Sequence, residues 1–241
     1  MTQEPGSAPG PAQPDHYDED YYRFNGQIGD RPALGWYVRL VRRYVGPGPY
    51  LDFGCGTGHL VRRLSAAGLA AGFEVSEFSA ERARTTAPGC AVYTDQAAIP
   101  PAGFGGLTAI HVLEHLDDDQ VATALATWRR VLGPGGRALV VVPDPAGRAH
   151  ALAGPAWAGF SDPTHINLKP HAEWASVLAE HGFDVLRQGS DGLWNVPYRR
   201  LPKLVDAGLH AGPSLVQFLS GRLFLRPGSG ESGVFVVQRR D

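Results

Sequence analysis

The sequence has little cysteine, little net charge and no long apolar run, and each absence excludes a class of protein. Its two cysteines, Cys55 and Cys90, are too few for a disulfide framework and form no C-x-x-C zinc motif, which favours a reducing compartment. The formal net charge of −2 offers no basic surface for duplex DNA or ribosomal RNA, so we expect no nucleic-acid partner. No apolar run approaches the roughly 20 residues of a membrane span, so none is predicted.

The amino-terminal region also lacks an apolar segment. Residues 1–16 are rich in Pro, Gly and acidic residues, and we expect a disordered tail because this composition buries too little apolar surface. Without an apolar h-region it is not a signal peptide, so a soluble cytoplasmic protein is expected. Residues 17–45 contain enough aromatic and apolar side chains for a helical cap, in which Trp36, Leu40 and Tyr44 recur at amphipathic spacing.

From residue 46 to 241, short apolar runs alternate with helix-period segments, which predicts βα units around a parallel sheet. The predicted strands cover residues 50–53, 71–75, 90–94, 107–111, 138–142, 183–187 and 233–237. The glycines of "GPGG", residues 133–136, are expected to end the helix before the fifth strand. Residues 193–228 are interrupted by prolines, so we expect an insertion of short helices before the last strand.

The stretch "YLDFGCGTGHL", Tyr50–Leu60, has the form of a strand followed by a cofactor loop. Closely spaced glycines that open a helix let backbone N–H groups approach a ligand. The third glycine of the dinucleotide fingerprint would stand at position 59, which is His59, and no lysine follows to make a phosphate loop. Asp52 would be awkward beside a pyrophosphate but could face an ammonium group. A nucleoside ligand without a pyrophosphate is therefore favoured over NAD, FAD or ATP.

Glu74 supports this interpretation, because it lies 20 residues after Gly54 at the end of the second predicted strand. A carboxylate there can accept hydrogen bonds from a ribose diol. Cys55, inside the loop, is better explained as a small buried filler than as a nucleophile.

Five segments resemble, in the same order, the motifs of one protein family: "LDFGCGTG", "GFEVSEFSAERA", "VYTDQAAIP", "AIHVLEHLDD" and "WRRVLGPGGRALVVVP". Over about residues 46–190 the chain resembles the class I S-adenosylmethionine-dependent methyltransferases, in the small-molecule branch with a ubiquinone-biosynthesis-methyltransferase-like domain. The resemblance implies an α/β fold: a Rossmann-like, doubly wound seven-stranded sheet, mostly parallel with an antiparallel last strand. It implies S-adenosyl-L-methionine as cofactor and S-adenosyl-L-homocysteine as product.

The resemblance also implies roles for single residues. The backbone of Gly54, Cys55 and Gly56 would line the methionine portion, with Asp52 near its ammonium group. Glu74 would bind the ribose hydroxyls, and Val75 is a further cofactor-binding residue. Asp95 and Gln96 would lie near adenine, with Asp95 as candidate acceptor for its amino group, and His111 and Val112 would lie beside the methionine portion.

The segment "HVLEH", His111–His115, formally matches the H-x-x-E-H zinc-protease pattern. That pattern requires both histidines on one helix, whereas His111 closes a predicted strand, so no metal is expected. His115 is either a base at the site or a structural histidine. In "FSDPTHINLKP" the Asp162–Thr164 segment could be a plain turn, but similar small-molecule methyltransferases carry an Asp-Pro-x-His element here, so His165 is predicted on the substrate side.

The leading hypothesis is O-methylation of a small molecule such as a sugar, quinone, phenol or natural-product intermediate, with His165 as the first candidate base and His115 as the second. Four aromatic residues could either close an apolar pocket or belong to the core: Tyr21, Tyr22, Trp157 and Trp194. N- or C-methylation and a noncatalytic binding module stay open, and a monomer or a homodimer is expected. Nucleic-acid methylation is disfavoured, because "NVPY", residues 195–198, lies too late in the chain for the amino-methyltransferase signature and is interpreted as a turn.

Overall fold

The computed structural model describes residues 19–24, 29–194, 198 and 202–241, and these build one seven-stranded sheet flanked by helices. The strands are β1 (Tyr50–Phe53), β2 (Ala70–Phe73), β3 (Ala91–Tyr93), β4 (Phe104–Ile110), β5 (Leu132–Pro143), β6 (Phe183–Ser190) and β7 (Ser232–Arg239). The α-helices are α1 (Glu19–Phe24), α2 (Pro32–Leu40), α3 (His59–Ser65), α4 (Glu77–Thr86), α5 (Asp118–Val131), α6 (Arg148–Ala153), α7 (His171–Glu180) and α8 (Lys203–Ser220). The predicted tail, residues 1–16, lies outside the described residues.

The strand order is β3-β2-β1-β4-β5-β7-β6. β7 runs antiparallel to β5 and β6, while the other neighbouring pairs are parallel. The predicted fold class is therefore confirmed. The chain leaves β1 in opposite directions, first towards β2 and later towards β4, so a crevice opens at the carboxyl ends of these strands.

The core explains why these segments form strands. All four residues of β1 are buried, and residues 138–142 of β5 are buried without interruption, as expected of parallel strands covered on both faces. Helix α5 begins with a capping box between Asp117 and Gln120 and lays its buried Trp128 edge-on against Phe53. The sheet is thereby fixed beneath the crevice.

The predicted start of β5 and the predicted helix content of the insertion were wrong, and the observed ends of β2, β4 and β6 also differ from the predicted ones. β5 begins at Leu132 and runs through "GPGG", because Leu132 pairs with Phe104 of β4, across a register irregularity between Phe104 and Gly106. In the described part of the insertion, one 18-residue helix, α8, with Pro213 inside it, takes the place of the several short helices that were predicted.

Helix α8 does not show the apolar periodicity of a buried helix, because the side chains on its buried face are polar. These side chains are Asp206, His210, Ser214 and Gln217. Gln217 donates to the Ser190 carbonyl and accepts from the backbone N–H groups of Phe224 and Leu225. A search for apolar periodicity misses a helix that is held in this way.

In the amino-terminal cap, Leu34, Trp36, Tyr37 and Leu40 of α2 are buried, and they belong to the same apolar cluster as Leu139 and Val141 of β5. Among the described residues, no helix combines the length and apolar character that a membrane crossing requires.

Candidate active site

A cavity of about 480 Å³ opens where β1, β2 and β4 end, which is within the size range of small-ligand sites. Its floor and walls come from the glycine loop after β1, the residues after β2, the residues after β4 and the start of α5. The amino-terminal cap closes one side through Tyr21, Arg31 and Leu34.

The glycine loop is held by backbone geometry that few residues other than glycine could adopt. Gly54 has φ +75°, and a Cβ there would lie 2.5 Å from Cγ2 of Val112. Its N–H donates to the Phe73 carbonyl at 2.8 Å, which ties the loop to the end of β2. Gly54 and Val112, both predicted at the site, are therefore in direct contact beside the cavity.

Glu74 is buried at the end of β2 and organises the loop. Its Oε2 accepts from the Gly56 N–H at 2.9 Å and its Oε1 from the Ser76 N–H at 2.9 Å. Burial raises the pKa of Glu74, and these backbone hydrogen bonds oppose the rise. Each carboxylate oxygen has a second lone pair, so the group can still accept from ligand hydroxyls.

Asp52 is 3% exposed, and its Oδ1 accepts from Thr108 Oγ1 at 2.6 Å. Burial raises the pKa of Asp52 to about 7; the Thr108 hydrogen bond opposes this rise, and the Glu74 charge adds to it. Because desolvation disfavours the carboxylate, a cation brought into the cavity would favour its ionised form.

Cys55 is a buried packing residue, as expected. Its Sγ would lie 2.5 Å from a Cβ placed on Gly72, and burial raises the pKa of its thiol well above the usual value. A thiol with a raised pKa is a poor nucleophile.

The residues predicted near adenine lie next to one another but differ in position. Gln96 lines the cavity and accepts from the Thr127 hydroxyl at 2.7 Å. Val75 lines both the cavity and an adjoining groove. Asp95 lies in that groove, and its Oδ1 accepts from the Ala97 N–H at 2.9 Å, which caps a short 3₁₀ turn.

His111 stands at the carboxyl end of β4 with φ +57°, an unusual conformation for a residue other than glycine. Its Nδ1 lies 3.0 Å from Oε1 of the fully buried Glu114. Sequence reasoning missed Glu114 as a site residue; its place between two histidines in "HVLEH" was the available signal.

The two candidate bases lie together. The rings of His115 and His165 have centroids 4.8 Å apart. His115 lines the cavity, and 12% of the His165 side chain is exposed. His115 Nδ1 is 2.9 Å from Thr164 Oγ1, and the Thr164 hydroxyl donates to Asp162 Oδ1 at 2.5 Å. Burial lowers the pKa of His115, which favours its neutral form.

Of the aromatic residues offered as pocket walls, those with described side chains are Tyr21, Trp157 and Trp194, and among these Tyr21 alone lines the cavity. Tyr21 lines the cavity, and its hydroxyl donates to Asp162 Oδ2 at 3.1 Å, which joins the cap to the histidine pair. Trp157 is buried in a separate cluster with Leu193, and the part-exposed Trp194 packs against Phe218. The Tyr22 side chain and residues 195–197 of "NVPY" lie outside the described residues.

The sheet order and the glycine loop agree with a family comparison: a methyltransferase-domain family model matches residues 29–188. The chain belongs to this methyltransferase family. It is a class I S-adenosylmethionine-dependent methyltransferase, whose product from the cofactor is S-adenosylhomocysteine. No curated protein matches the sequence.

Solved structures share the methyltransferase's fold at low sequence identity. An S-adenosylmethionine-dependent methyltransferase from Archaeoglobus fulgidus is 15% identical with a TM-score of 0.57, covering 91% of this chain and 99% of its own. A possible histamine N-methyltransferase from Thermotoga maritima is 17% identical with a TM-score of 0.62, covering 92% and 95%. The mitomycin 7-O-methyltransferase is 20% identical with a TM-score of 0.58, covering 92% of this chain but 59% of its own.

Proposed function

We propose that this methyltransferase transfers the cofactor's methyl group to a hydroxyl oxygen of a small molecule such as a sugar, quinone, phenol or natural-product intermediate. The observation that carries the proposal is His115, which lines the cavity near the loop that would hold the methionine end of the cofactor, and His165, whose ring packs against that of His115. We place the enzyme in the small-molecule branch with a ubiquinone-biosynthesis-methyltransferase-like domain.

The residues around the cavity fit S-adenosylmethionine. Gly54, Cys55 and Gly56 would lie along the methionine portion, where the space that a Cβ on Gly54 would need is already filled by Val112. Asp52 would meet the ammonium group, since its buried carboxylate gains from a nearby positive charge.

The nucleoside end fits as well. Glu74 has lone pairs left for the ribose hydroxyls, with Val75 beside it. Gln96 and, from the adjoining groove, Asp95 would lie near adenine, while His111 with Val112 would border the methionine portion.

Methyl transfer from a sulfonium needs mainly alignment, with the acceptor oxygen held about 3 Å from the methyl carbon and in line with the leaving sulfur. The hydroxyl must also lose its proton. His165 donates from Nδ1 to the Gly159 carbonyl at 2.8 Å, so the lone pair of its neutral ring is on Nε2. That lone pair can take the proton or bind a cation that makes the hydroxyl more acidic; His115 is the second candidate for either role.

A small acceptor is favoured over a macromolecule because the cavity is bordered by Tyr21 and Arg31 of the cap and the chain carries a net charge of −2. The shared fold does not choose the acceptor atom, since the structural neighbours include both an O- and a possible N-methyltransferase. N- or C-methylation of a small molecule is therefore the competing outcome of the test.

The test has two stages. Calorimetric titration with S-adenosylmethionine, S-adenosylhomocysteine and NADH is expected to give micromolar binding of the first two and none of the third. Hydroxylated, amine and carbon acceptors are then screened by release of S-adenosylhomocysteine, with O-methyl products identified by mass spectrometry.

His165→Ala is expected to lower turnover while the cofactor dissociation constant stays unchanged, and His181→Ala, a histidine at the end of α7, serves as control. Turnover of His165→Ala equal to that of the unaltered enzyme would remove this residue from the mechanism. Absence of cofactor binding would favour a noncatalytic module, and exclusively N- or C-methylated products would overturn the choice of oxygen.

A further inference from the structure

Three side chains with metal-binding atoms converge after β4: Glu114, His115 and His165. One ligand atom from each lies within 4.8 Å of those of the other two. Glu114 and His115 are buried, and His165 is nearly so. Two histidines and one glutamate form the protein ligand set of a class of catalytic zinc sites, in which the next coordination position is left open.

The carboxylate of Glu114 has an unsatisfied atom. His111 Nδ1 lies 3.0 Å from Oε1, whereas Oε2 is fully buried and has no hydrogen-bond partner among the described residues. A buried carboxylate oxygen without a hydrogen-bond partner is costly, and a bound cation would satisfy it.

Both histidines are oriented by hydrogen bonds from the ring nitrogen that a metal would not use. His165 donates from Nδ1 to the Gly159 carbonyl at 2.8 Å. The hydroxyl of Thr164 donates to Asp162, so Thr164 Oγ1 accepts from His115 Nδ1 at 2.9 Å. In the neutral rings Nε2 then carries the lone pair, which is the arrangement that outer hydrogen bonds give to metal-ligating histidines.

We infer that Glu114, His115 and His165 bind one divalent transition-metal ion of the zinc type, with a coordination position open towards the cavity. Ligands of one tetrahedral zinc ion lie about 3.3 Å apart, so the observed triangle would contract slightly on binding. The sequence predicted no metal because His111 and His115 do not share a helix. The structure instead supplies Glu114 and His115 from a short turn, Leu113–His115, and His165 from the distant Asp162 loop.

The role of the ion rests on the proposed function. A hydroxyl oxygen bound to it would lose its proton at a lower pH, and that proton would pass to solvent water. As the new oxygen–carbon bond forms, the bond between the methyl carbon and the sulfonium sulfur breaks and its electron pair stays on sulfur. The two imidazoles would then act as ligands and not as bases.

The direct test is binding of Zn²⁺ to chelator-treated full-length protein by calorimetry, with Co²⁺ visible absorption as a second readout. We expect one ion per chain with micromolar affinity or tighter and d–d bands of a tetrahedral or five-coordinate site. Glu114→Gln and His165→Asn should each weaken Zn²⁺ binding at least about tenfold. His181→Ala, which changes a histidine at the carboxyl end of α7, should bind like the unaltered protein.

Circular dichroism of each variant checks its fold, and if Glu114→Gln fails to fold, His165→Asn decides alone. Absence of stoichiometric Zn²⁺ binding, or equal binding by His165→Asn and the unaltered protein, would overturn the inference. Zn²⁺ binding without transfer to any hydroxylated acceptor would leave the metal site standing and remove the proposed acceptor. Undiminished transfer in excess chelator would overturn the catalytic role of the ion and leave O-methylation standing.

Discussion

Replacing Asp52 by asparagine is expected to stabilise the cofactor-free enzyme at neutral and alkaline pH while it weakens cofactor binding. Burial raises the pKa of Asp52 from an ordinary value of 3.8 to about 7. Between these values the folded state holds a proton that the unfolded chain has released, so the stability of the unaltered protein falls as pH rises. The contribution is complete below pH 3.8 and lost above pH 7.

The magnitude follows from this window. Each pH unit inside it corresponds to about 1.4 kcal/mol, so from pH 5 to pH 7 the unaltered protein loses about 2.7 kcal/mol through this group. The side chain introduced by Asp52→Asn would not titrate, and its carbonyl oxygen can still accept from Thr108. The difference in unfolding free energy between Asp52→Asn and the unaltered protein should therefore change by about 2.7 kcal/mol from pH 5 to pH 8, in favour of the variant.

Urea denaturation of both proteins at pH 5 and pH 8 measures this difference. Asp191, whose pKa burial also raises to about 7, is present in both proteins and cancels in the comparison. Calorimetry at pH 8 should show at least about tenfold weaker S-adenosylmethionine binding by Asp52→Asn, since the ammonium group loses a charged partner. A stability difference that does not change with pH would refute the reasoning.

Two further substitutions test the loop and the insertion. Gly54→Ala should lower the unfolding free energy by about 1–2 kcal/mol because of the positive φ, and it should displace Val112, so that cofactor affinity falls at least about tenfold. The control Gly89→Ala has a similar φ but open space around it. Equal cofactor binding by both variants would contradict the role of the Gly54–Val112 contact. Gln217→Leu should lower the unfolding free energy by about 2–4 kcal/mol in urea titrations, because the Phe224 and Leu225 N–H groups and the Ser190 carbonyl lose their side-chain partner. A loss below about 0.5 kcal/mol would show that this hydrogen-bond cluster does not hold α8.

The fold could be predicted because its signals are local and repeated. Apolar runs of strand length alternate with helix-period segments, and the glycine loop lies between the first strand and helix as the structure has them. The strand ends were less predictable, because Leu132 becomes part of β5 only through pairing with Phe104, which is a contact between distant segments. Helix α8 was misread because its buried face is polar.

The candidate site likewise contains residues that local sequence patterns could locate and residues that only contacts between distant segments bring together. Residues of the loop and of the strand ends, such as Gly54, Glu74 and His111, could be located because the ends of parallel strands meet at one edge. The meeting of Glu114 and His115 with His165 depends on the long segment between β5 and α7, whose path no local pattern specifies. The hydrogen bond from the Tyr21 hydroxyl to Asp162 is another such contact, between residues 141 positions apart.

The most direct test of the account is the binding of S-adenosylhomocysteine to the unaltered methyltransferase, Glu74→Ala and the control Glu77→Ala. Glu77 is exposed and pairs with Arg84, whereas Glu74 is buried and proposed to hold the ribose. Calorimetry should show micromolar binding by the unaltered protein and by Glu77→Ala, and at least about 30-fold weaker binding by Glu74→Ala, which corresponds to about 2 kcal/mol. Equal binding by all three folded proteins would contradict the site described at the end of β2.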